Sequence, residues 1–426
     1  MGDSALATFE ALFGPEFGHG KAFDLARLRA ALTALGSPQT KLPPVIHVAG
    51  TNGKGSTIAF MRAVAEAAGL HVHAFTKPHL FALGERFVIA GEAANDAALI
   101  AAGERVAAAD RALTQFDAQV AAAFLLFSET PADLVLLETG MGGRDDSTNV
   151  IEPPALSLIT PIALDHQDVL GITLAEIAAH KAGILKPGVP AIIARQTDEA
   201  REIIESEAER VGAPLLRQGM EWDAYFQAGR LIVQTETRLL DLPPPALHGL
   251  HQCDNAGLAC AALMAWRAFD DSAFAEGAAR ARWPARLQAL TRGPLSAPIR
   301  AAGGEVWVDG GHNAHALAAL AAWAAAQQAR RQAPLVVIFA ARARKHWAPA
   351  LKRLAIMADC IIATPLREGG VPPAQVVAYA RSEGARSEAA ATLDEALAMA
   401  ARFPAPRVLI CGSFLLAAEA LAAESA

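Results

Sequence analysis

At 426 residues the chain is longer than one hydrophobic core usually holds, so two domains are expected. Hydrophobic residues make up 53% and charged residues 19%, which excludes a disordered chain and leaves ample apolar surface to bury. A formal net charge of −7 argues against a nucleic-acid partner, yet leaves room for an anionic small substrate wherever local lysines or a bound metal set the sign. No basic segment leading into an apolar core opens the chain, and no apolar run reaches the ~18 residues of a spanning helix. The expectation is a cytoplasmic protein with no membrane partner. Four scattered cysteines, Cys253, Cys260, Cys360 and Cys411, make no disulfide framework and suit a reducing compartment.

In chain order, residues 4–13 and 22–35 read as helices, the second with apolar positions at Phe23, Leu25, Leu28, Ala31, Leu32 and Leu35. The stretch from Pro43 to Gly69 carries the strongest signal. Val45 to Val48 is a β-branched run that reads as a buried strand, and Ile58, Met61 and Val64 recur at helical spacing. Between them Gly50, Gly53 and Gly55 let the backbone approach a ligand closely, with Asn52 in the same turn. Backbone N–H groups and a helix N-terminus at such a turn face a phosphate. Lys54 offers a point charge to the β and γ phosphates of a nucleotide, and Ser56 or Thr57 a hydroxyl to Mg²⁺. The spacing is G-x-x-G-K-G-S, not the usual G-x-x-x-x-G-K-[ST]. A plain strand-to-helix connection is the alternative.

A second strand, HVHAF, runs into TKPHLFALGER, a Pro-containing polar turn where a ligand loop is expected. Helices follow over 95–110 and 114–128, and Phe116 is spaced to pack with Val120 in a core. Leu134 to Leu137 forms a hydrophobic strand ending in Glu138 before a glycine-rich turn. A carboxylate there lies at the crevice where α/β proteins bind ligands, and buried without a partner it would be costly. The strand ALSLIT precedes His166, a candidate metal ligand or a loop histidine, and the helix that carries Lys181. By residue pattern alone Lys181 reads as a snorkelling surface lysine. A long helix covers LHGLHQCDNAGLACAALMAW, whose His248, His251, Cys253 and Cys260 fit no standard zinc spacing. WPARLQ at 283–288 marks the domain junction, giving domains 1–285 and 286–426. Beyond it EVWVDGGHNAHALAALAAW repeats strand, turn and helix, and further strands at 335–340, 359–363 and 407–411 complete a smaller α/β domain.

The loop HVAGTNGKGST resembles that of the Mur ligase superfamily, most closely its folate branch, the folylpolyglutamate synthases that are often bifunctional with dihydrofolate synthase. The motifs TKPHL, ETGMGGRDDSTN, LDH with KAGI, Asn255, WPAR, DGGHN and Gly412–Ser413 resemble that family's segments in order along nearly the whole chain. The resemblance implies an α/β protein: a P-loop, Mur-ligase-like N-terminal domain with a mainly parallel sheet, and a smaller Rossmann-like C-terminal domain. It implies ATP-dependent ligation of L-glutamate to dihydropteroate and to reduced folates through an acyl phosphate, by a monomer. ATP would be held by Asn52, Gly53, Lys54, Gly55, Ser56, Thr57, Asn255, Arg286, Asp309 and His312. One or two Mg²⁺ ions would be held by Ser56, Glu138, His166 and a carbamylated Lys181, with Lys54, Glu138, His166 and Lys181 as the catalytic set. The pteroate would meet Asp24, Leu25, Ala26, Thr114, Gln115, Phe116, Asp117, Asp146, Ser147 and Thr148, and the glutamate side Lys345, His346 and Ser413.

Five positions depart from the family pattern: Lys77 stands where a metal-binding serine is usual, Gly84 where an asparagine is usual, Ser147 where an alanine is, Ala285 where a glycine is and His346 where an aspartate is frequent. An ammonium cannot ligate a metal but can take over part of its charge near the γ phosphate; a solvated loop lysine is the other reading. Three other functions stay open. A peptidoglycan-type ligase would carry an extra N-terminal domain, a folate-like ligase could use a different acid, and a P-loop ATPase would hydrolyse ATP without glutamate.

Overall fold

A computed structural model describes residues 3–15 and 24–425. Its chain divides into two units, one comprising the described residues up to Ala246 with Gln252–Arg282, the other Leu247–His251 with Trp283 onward. Phe23, expected within the second helix, lies outside the described residues; that helix spans Leu25–Ala34, with the Asp24 carboxylate accepting from the Arg27 N–H as its N-cap.

The first unit is built on β1 (Val45–Ala49), β2 (Val72–Phe75), β3 (Phe87–Ile89), β4 (Glu92–Ala93), β5 (Leu134–Glu138), β6 (Leu156–Ile159), β7 (Ala191–Ile193) and β8 (Leu215–Arg217). They form one sheet in the order β4-β3-β2-β5-β1-β6-β7-β8, parallel except for the β2–β3 and β3–β4 pairs. β1, β5 and β6 are buried throughout, as strands covered on both faces must be, which explains why they are mostly apolar and why the polar residues they carry, His47, Glu138 and Ser157, are buried with them. The helix Lys54–Ala67 follows β1 and buries Ile58, Met61, Val64 and Ala65. It stops where Gly69 takes a left-handed φ of 81°, with the Gly69 and Leu70 N–H groups bonded to the Glu66 and Ala65 carbonyls. On one face of the sheet the helices Ser4–Phe13 and Gln115–Glu129 build an aromatic-rich core with Phe9, Phe13, Phe75, Phe87 and Phe124. The short strands β9 (Trp222–Gln227), β10 (Arg230–Thr235) and β11 (Leu239–Leu242) make a separate antiparallel meander.

The second unit carries β12 (Gln288–Leu290), β13 (Glu305–Val308), β14 (Leu335–Phe339), β15 (Cys360–Ala363), β16 (Ser387–Ala389) and β17 (Arg407–Cys411), ordered β12-β13-β17-β14-β15-β16. All neighbours are parallel except β12 and β13. Arg407 is buried at the edge of this core, where its guanidinium donates to Glu305 at 2.7 Å and to Gln328 at 2.6 Å, so the charge is paired as burial demands.

Candidate active site

The first site lies at the carboxyl ends of β1, β5 and β6, where Val48 stands level with Glu138 and Ala49 with Ile159. The chain order reverses about β1 here, which opens the crevice that α/β sheets offer to ligands. The turn after β1 is tied to the segment after β6: the Thr51 and Asn52 N–H groups donate to the Pro161 carbonyl, and the Thr51 hydroxyl to that of Ala163. Two glycines are required by space as well as by conformation. At Gly50, with φ 141°, a Cβ would overlap the Thr160 hydroxyl; at Gly53, with φ 94°, it would overlap the Asn255 amide oxygen. Gly53 is also the N-cap of the helix that begins at Lys54, and it brings no side chain to satisfy the first N–H groups, which leaves them to an anion.

Around this turn the polar groups are buried. Lys54 Nζ donates to the Gly50 carbonyl at 3.1 Å and lies 3.8 Å from Glu138 Oε1. Glu138 is 3% exposed, and its Oε2 accepts from the Lys77 N–H at 3.1 Å. Lys181 is buried on the helix Leu174–Ala182, and its Nζ donates to the same Gly50 carbonyl at 2.7 Å. Burial, and then the nearby Lys54, lower its pKa to about 7. The snorkelling expected from residue pattern alone is corrected: the helix turns Lys181 inward onto the loop. Asn255 donates to Gln252 at 2.9 Å while packing on Gly53. His166 is exposed, with a left-handed φ of 52°, at the start of the short helix Gln167–Leu170; its N–H donates to Asp165.

The site suits a hard divalent cation by its donors. Ser56 Oγ and Thr57 Oγ1 are buried with no hydrogen-bond partner within the described residues, and a single carboxylate, Glu138, stands close to the same loop. Among the described residues no group of three or more His, Cys, Asp and Glu side chains converges as a metal cage. A hydroxyl with one carboxylate is the donor set that binds magnesium together with substrate phosphates.

Beside this cradle the segments expected to meet the pteroate come together. Thr114 and Asp117 form a reciprocal cap at the start of the helix Gln115–Glu129. Ser147 Oγ donates to Asp117 at 2.6 Å. Asp146 accepts from the Thr148 N–H and hydroxyl and from the Met141 N–H, so both carboxylates are already occupied in shaping the turn. Since the Thr148 hydroxyl donates to Asp146, it accepts from His47 Nε2 at 2.8 Å, which leaves His47 Nδ1 as a bare acceptor with no partner among the described residues. Burial, with Lys186 second, lowers the His47 pKa to about 3. The helix Leu25–Ala34 packs against the same turn, with Leu25 partly buried, Asp24 as exposed N-cap and Ala26 exposed. Gln115 is 1% exposed, and neither amide atom has a hydrogen-bond partner among the described residues. Phe116 is partly exposed and lies against Gly140, where a Cβ would strike its ring.

Two of the departures from the family pattern, Gly84 and Lys77, have a local account. No side chain fits at Gly84, because a Cβ would overlap the Ala94 carbonyl. The Lys77 ammonium lies 4.9 Å from the centroid of the Phe116 ring, a cation–π contact rather than a purely solvated position.

In the second unit Arg286 lies 4.8 Å from the centroid of Phe414, and the His312 ring packs on the same phenyl at 5.6 Å. Asp309 accepts from the Leu287 and Gly311 N–H groups at 2.9 and 2.6 Å. Ser413 accepts from the Leu415 N–H, His346 is exposed before the helix Trp347–Met357, and Lys345 is partly exposed beside it. Sequence reasoning missed Phe414, which organises Arg286 and His312, and Thr160, whose buried hydroxyl lacks a partner in the described residues. Thr160 carried a usable signal, a polar residue ending an apolar parallel strand as Glu138 does; Phe414 carried none.

Two family descriptions match the chain, "Mur ligase middle domain" over residues 48–263 and "Mur ligase, glutamate ligase domain" over 297–414. The phosphate loop on its parallel sheet and the second α/β unit are thus those of a Mur-type ligase. The chain is 35% identical over 357 residues to the dihydrofolate synthase/folylpolyglutamate synthase of Bacillus subtilis, across 79% of this chain and 80% of that protein. It is similar to the structure of Escherichia coli FolC in complex with DHPP and ADP, with TM-score 0.86 and 28% identity, covering 98% of this chain and 96% of that one. It is also similar to a bifunctional folylpolyglutamate synthase/dihydrofolate synthase with Mn, AMPPNP and L-glutamate bound, with TM-score 0.85 and 29% identity over 99% and 98% of the two chains. The chain belongs to the dihydrofolate synthase/folylpolyglutamate synthase family.

Proposed function

We propose that the protein ligates L-glutamate to dihydropteroate, forming dihydrofolate, and to reduced folates, extending them through γ-linked glutamates, with ATP as the energy source. The observation that carries this reading is the cradle after β1: a helix start without a side-chain cap, two glycines with no room for a Cβ, buried hydroxyls without partners among the described residues, and Lys54 beside Glu138. Relatives of similar fold hold DHPP with ADP, and AMPPNP with Mn and L-glutamate.

In this reaction the carboxylate of the acid attacks the γ phosphorus of ATP, the bond to the bridging oxygen breaks, and acyl phosphate and ADP form. The glutamate amine then adds to the acyl carbon, loses its proton and expels phosphate, leaving an amide. Lys54 and the free N–H groups at the helix start neutralise charge on the phosphates as it shifts toward ADP. Ser56 and Glu138 are suited to hold a divalent cation, with His166 and Lys181 serving a second one. Bound magnesium supplies positive charge at the phosphate oxygens.

Lys181 is inferred to become a carbamate: its neutral amine adds to CO₂ and releases a proton. Its burial and a pKa lowered to about 7 support this, because a large fraction of the amine is then uncharged near neutrality. Asn255, Arg286, Asp309 and His312 are assigned to the nucleotide, and Lys345, His346 and Ser413 to glutamate. The acid lies along Phe116, with the Gln115 amide, which has no partner among the described residues, offering a donor and an acceptor to a flat heterocycle, and with Asp24, Leu25, Ala26, Thr114, Asp117, Asp146, Ser147 and Thr148 around it. A cytoplasmic monomer is inferred as the working form. Four buried free thiols support a reducing compartment, and sedimentation at about 44.5 kDa is the expected result.

One second reading is favoured by Lys77 and Gly84, a ligase of the same mechanism acting on a different carboxylic acid. Phosphate release from ATP and Mg²⁺ with glutamate, supplied separately with dihydropteroate and with tetrahydrofolate, decides between them. Release with both supports the bifunctional reading, while release with neither acid transfers the case to another substrate.

A further inference from the structure

Lys77 occupies a position with two anchors. Its main-chain N–H is fixed on Glu138 Oε2 at 3.1 Å, and its ammonium rests over Phe116 at 4.9 Å. Phe116 is itself held in place, because Gly140 leaves the ring close against the turn that follows Glu138, and Phe75 packs on it at 6.0 Å. The ring gives a flexible lysine a defined resting place and, being partly buried, lowers the local dielectric around the charge. Glu138 marks the phosphate end of the site, and Gln115, adjacent to Phe116, marks the end where an unpartnered buried amide awaits a polar ligand. An acid whose body lies along Phe116 and whose carboxylate reacts beside Glu138 passes the Lys77 ammonium, which rests on that ring.

We propose that Lys77 is a specificity-determining residue that receives the reacting carboxylate of the acid substrate, with Phe116 as the platform that presents its ammonium. This rests on the ligase reading given above and adds a residue to it. A carboxylate approaching a triphosphate is repelled, and an ammonium on its path offsets that repulsion through a charge-assisted hydrogen bond. Lys77 then favours an anionic acid over a neutral isostere of the same shape.

The test compares wild type with Lys77→Met, Lys77→Arg and Phe116→Leu. It measures KM for dihydropteroate, inhibition by its neutral carboxamide analogue, and ADP binding. Loss of a charge-assisted contact should raise the KM for the acid in Lys77→Met by about tenfold to a hundredfold. It should remove the preference for acid over carboxamide and leave ADP affinity unchanged. Lys77→Arg should restore most of that preference, and Phe116→Leu should lose part of it. A Lys77→Met protein that folds, as judged by circular dichroism and ADP binding, and keeps both the KM and the discrimination overturns the role of Lys77 alone. Weakened ADP binding with unchanged discrimination overturns it too, by placing the ammonium on the nucleotide. A wild type that releases no phosphate with any folate-type acid removes the ligase reading and this inference together.

Discussion

The molecule contains the same local design twice, a parallel strand running through a glycine-rich turn into a helix, at residues 45–67 and again at 305–330. The two turns differ in how their polar groups are satisfied. At the second, Asp309 accepts from the Leu287 and Gly311 N–H groups, and Asn313 caps its helix by accepting from the Ala316 N–H, so its carboxylate and its helix start are occupied within the protein. At the first, the helix cap is a bare glycine, and the hydroxyls of Ser56, Thr57 and Thr160 are buried without partners among the described residues. A buried polar atom with no partner is costly, and such hydroxyls at and beside the first turn are what sets it apart from the second. The strand–turn–helix unit does not by itself make a phosphate cradle; the unmet hydrogen-bonding capacity of the first turn is what distinguishes it.

The strongest way to break this contrast is to remove charge from the first turn. Lys54→Ala or Glu138→Ala should lower glutamate-dependent phosphate release by about a thousandfold with the fold retained by circular dichroism, since each removes preorganised electrostatic stabilisation. Wild-type turnover in either variant would show that the cradle is not where the reaction occurs. Gly53→Val should come next, with ADP affinity reduced at least about tenfold, because the side chain meets Asn255 and the residue must hold φ 94°. Calorimetric titration of ADP measures it.

Stability separates the turns in the opposite direction. Asp309→Ala leaves two N–H groups without their acceptor and should destabilise the second unit by about 1–3 kcal/mol in urea unfolding. Ser56→Ala removes a hydroxyl that bonds nothing within the described chain, and it should leave stability within about 0.5 kcal/mol of wild type while weakening divalent-metal dependence. Equal losses in both variants would dissolve the distinction.

A last effect concerns pH. His47 is held neutral by burial, with its pKa lowered from 6.5 to about 3. Between those values the unfolded chain binds a proton that the folded chain does not. The stability associated with neutral His47 is therefore full above pH 6.5 and declines as pH falls toward 3, by at most about 1.4 kcal/mol per pH unit. His47→Gln should flatten the denaturation midpoint between pH 6 and pH 4 relative to wild type, and identical slopes would assign the acid sensitivity elsewhere.

What could be read from the sequence followed the range of the interaction. The strand at 45–48, the helix after it and the carboxylate at Glu138 were legible because each is a local pattern: a β-branched run, a helical repeat, a charge closing an apolar strand. The sheet order was not legible, since periodicity shows which face of a strand is apolar but not which strand lies beside it. The three-residue strands β12 and β16 were too short to show a period. Lys181 shows the limit most clearly. Helical spacing places it on a face of small residues, but its depth depends on a carbonyl that belongs to residue 50. The orphaned amide of Gln115 and the shared platform at Phe414 are likewise properties of neighbours far away in the chain.

The shape of the phosphate loop has a consequence for the order in which the chain acquires it. The bond from Lys181 to Gly50 closes a separation of 131 residues, the Thr51 and Asn52 N–H groups depend on Pro161, and Gly53 is packed by Asn255. During vectorial synthesis the loop's own residues leave the ribosome early, yet the groups that mould it follow one to two hundred residues later. The nascent chain therefore carries the sequence of the turn long before the groups that shape it have been made.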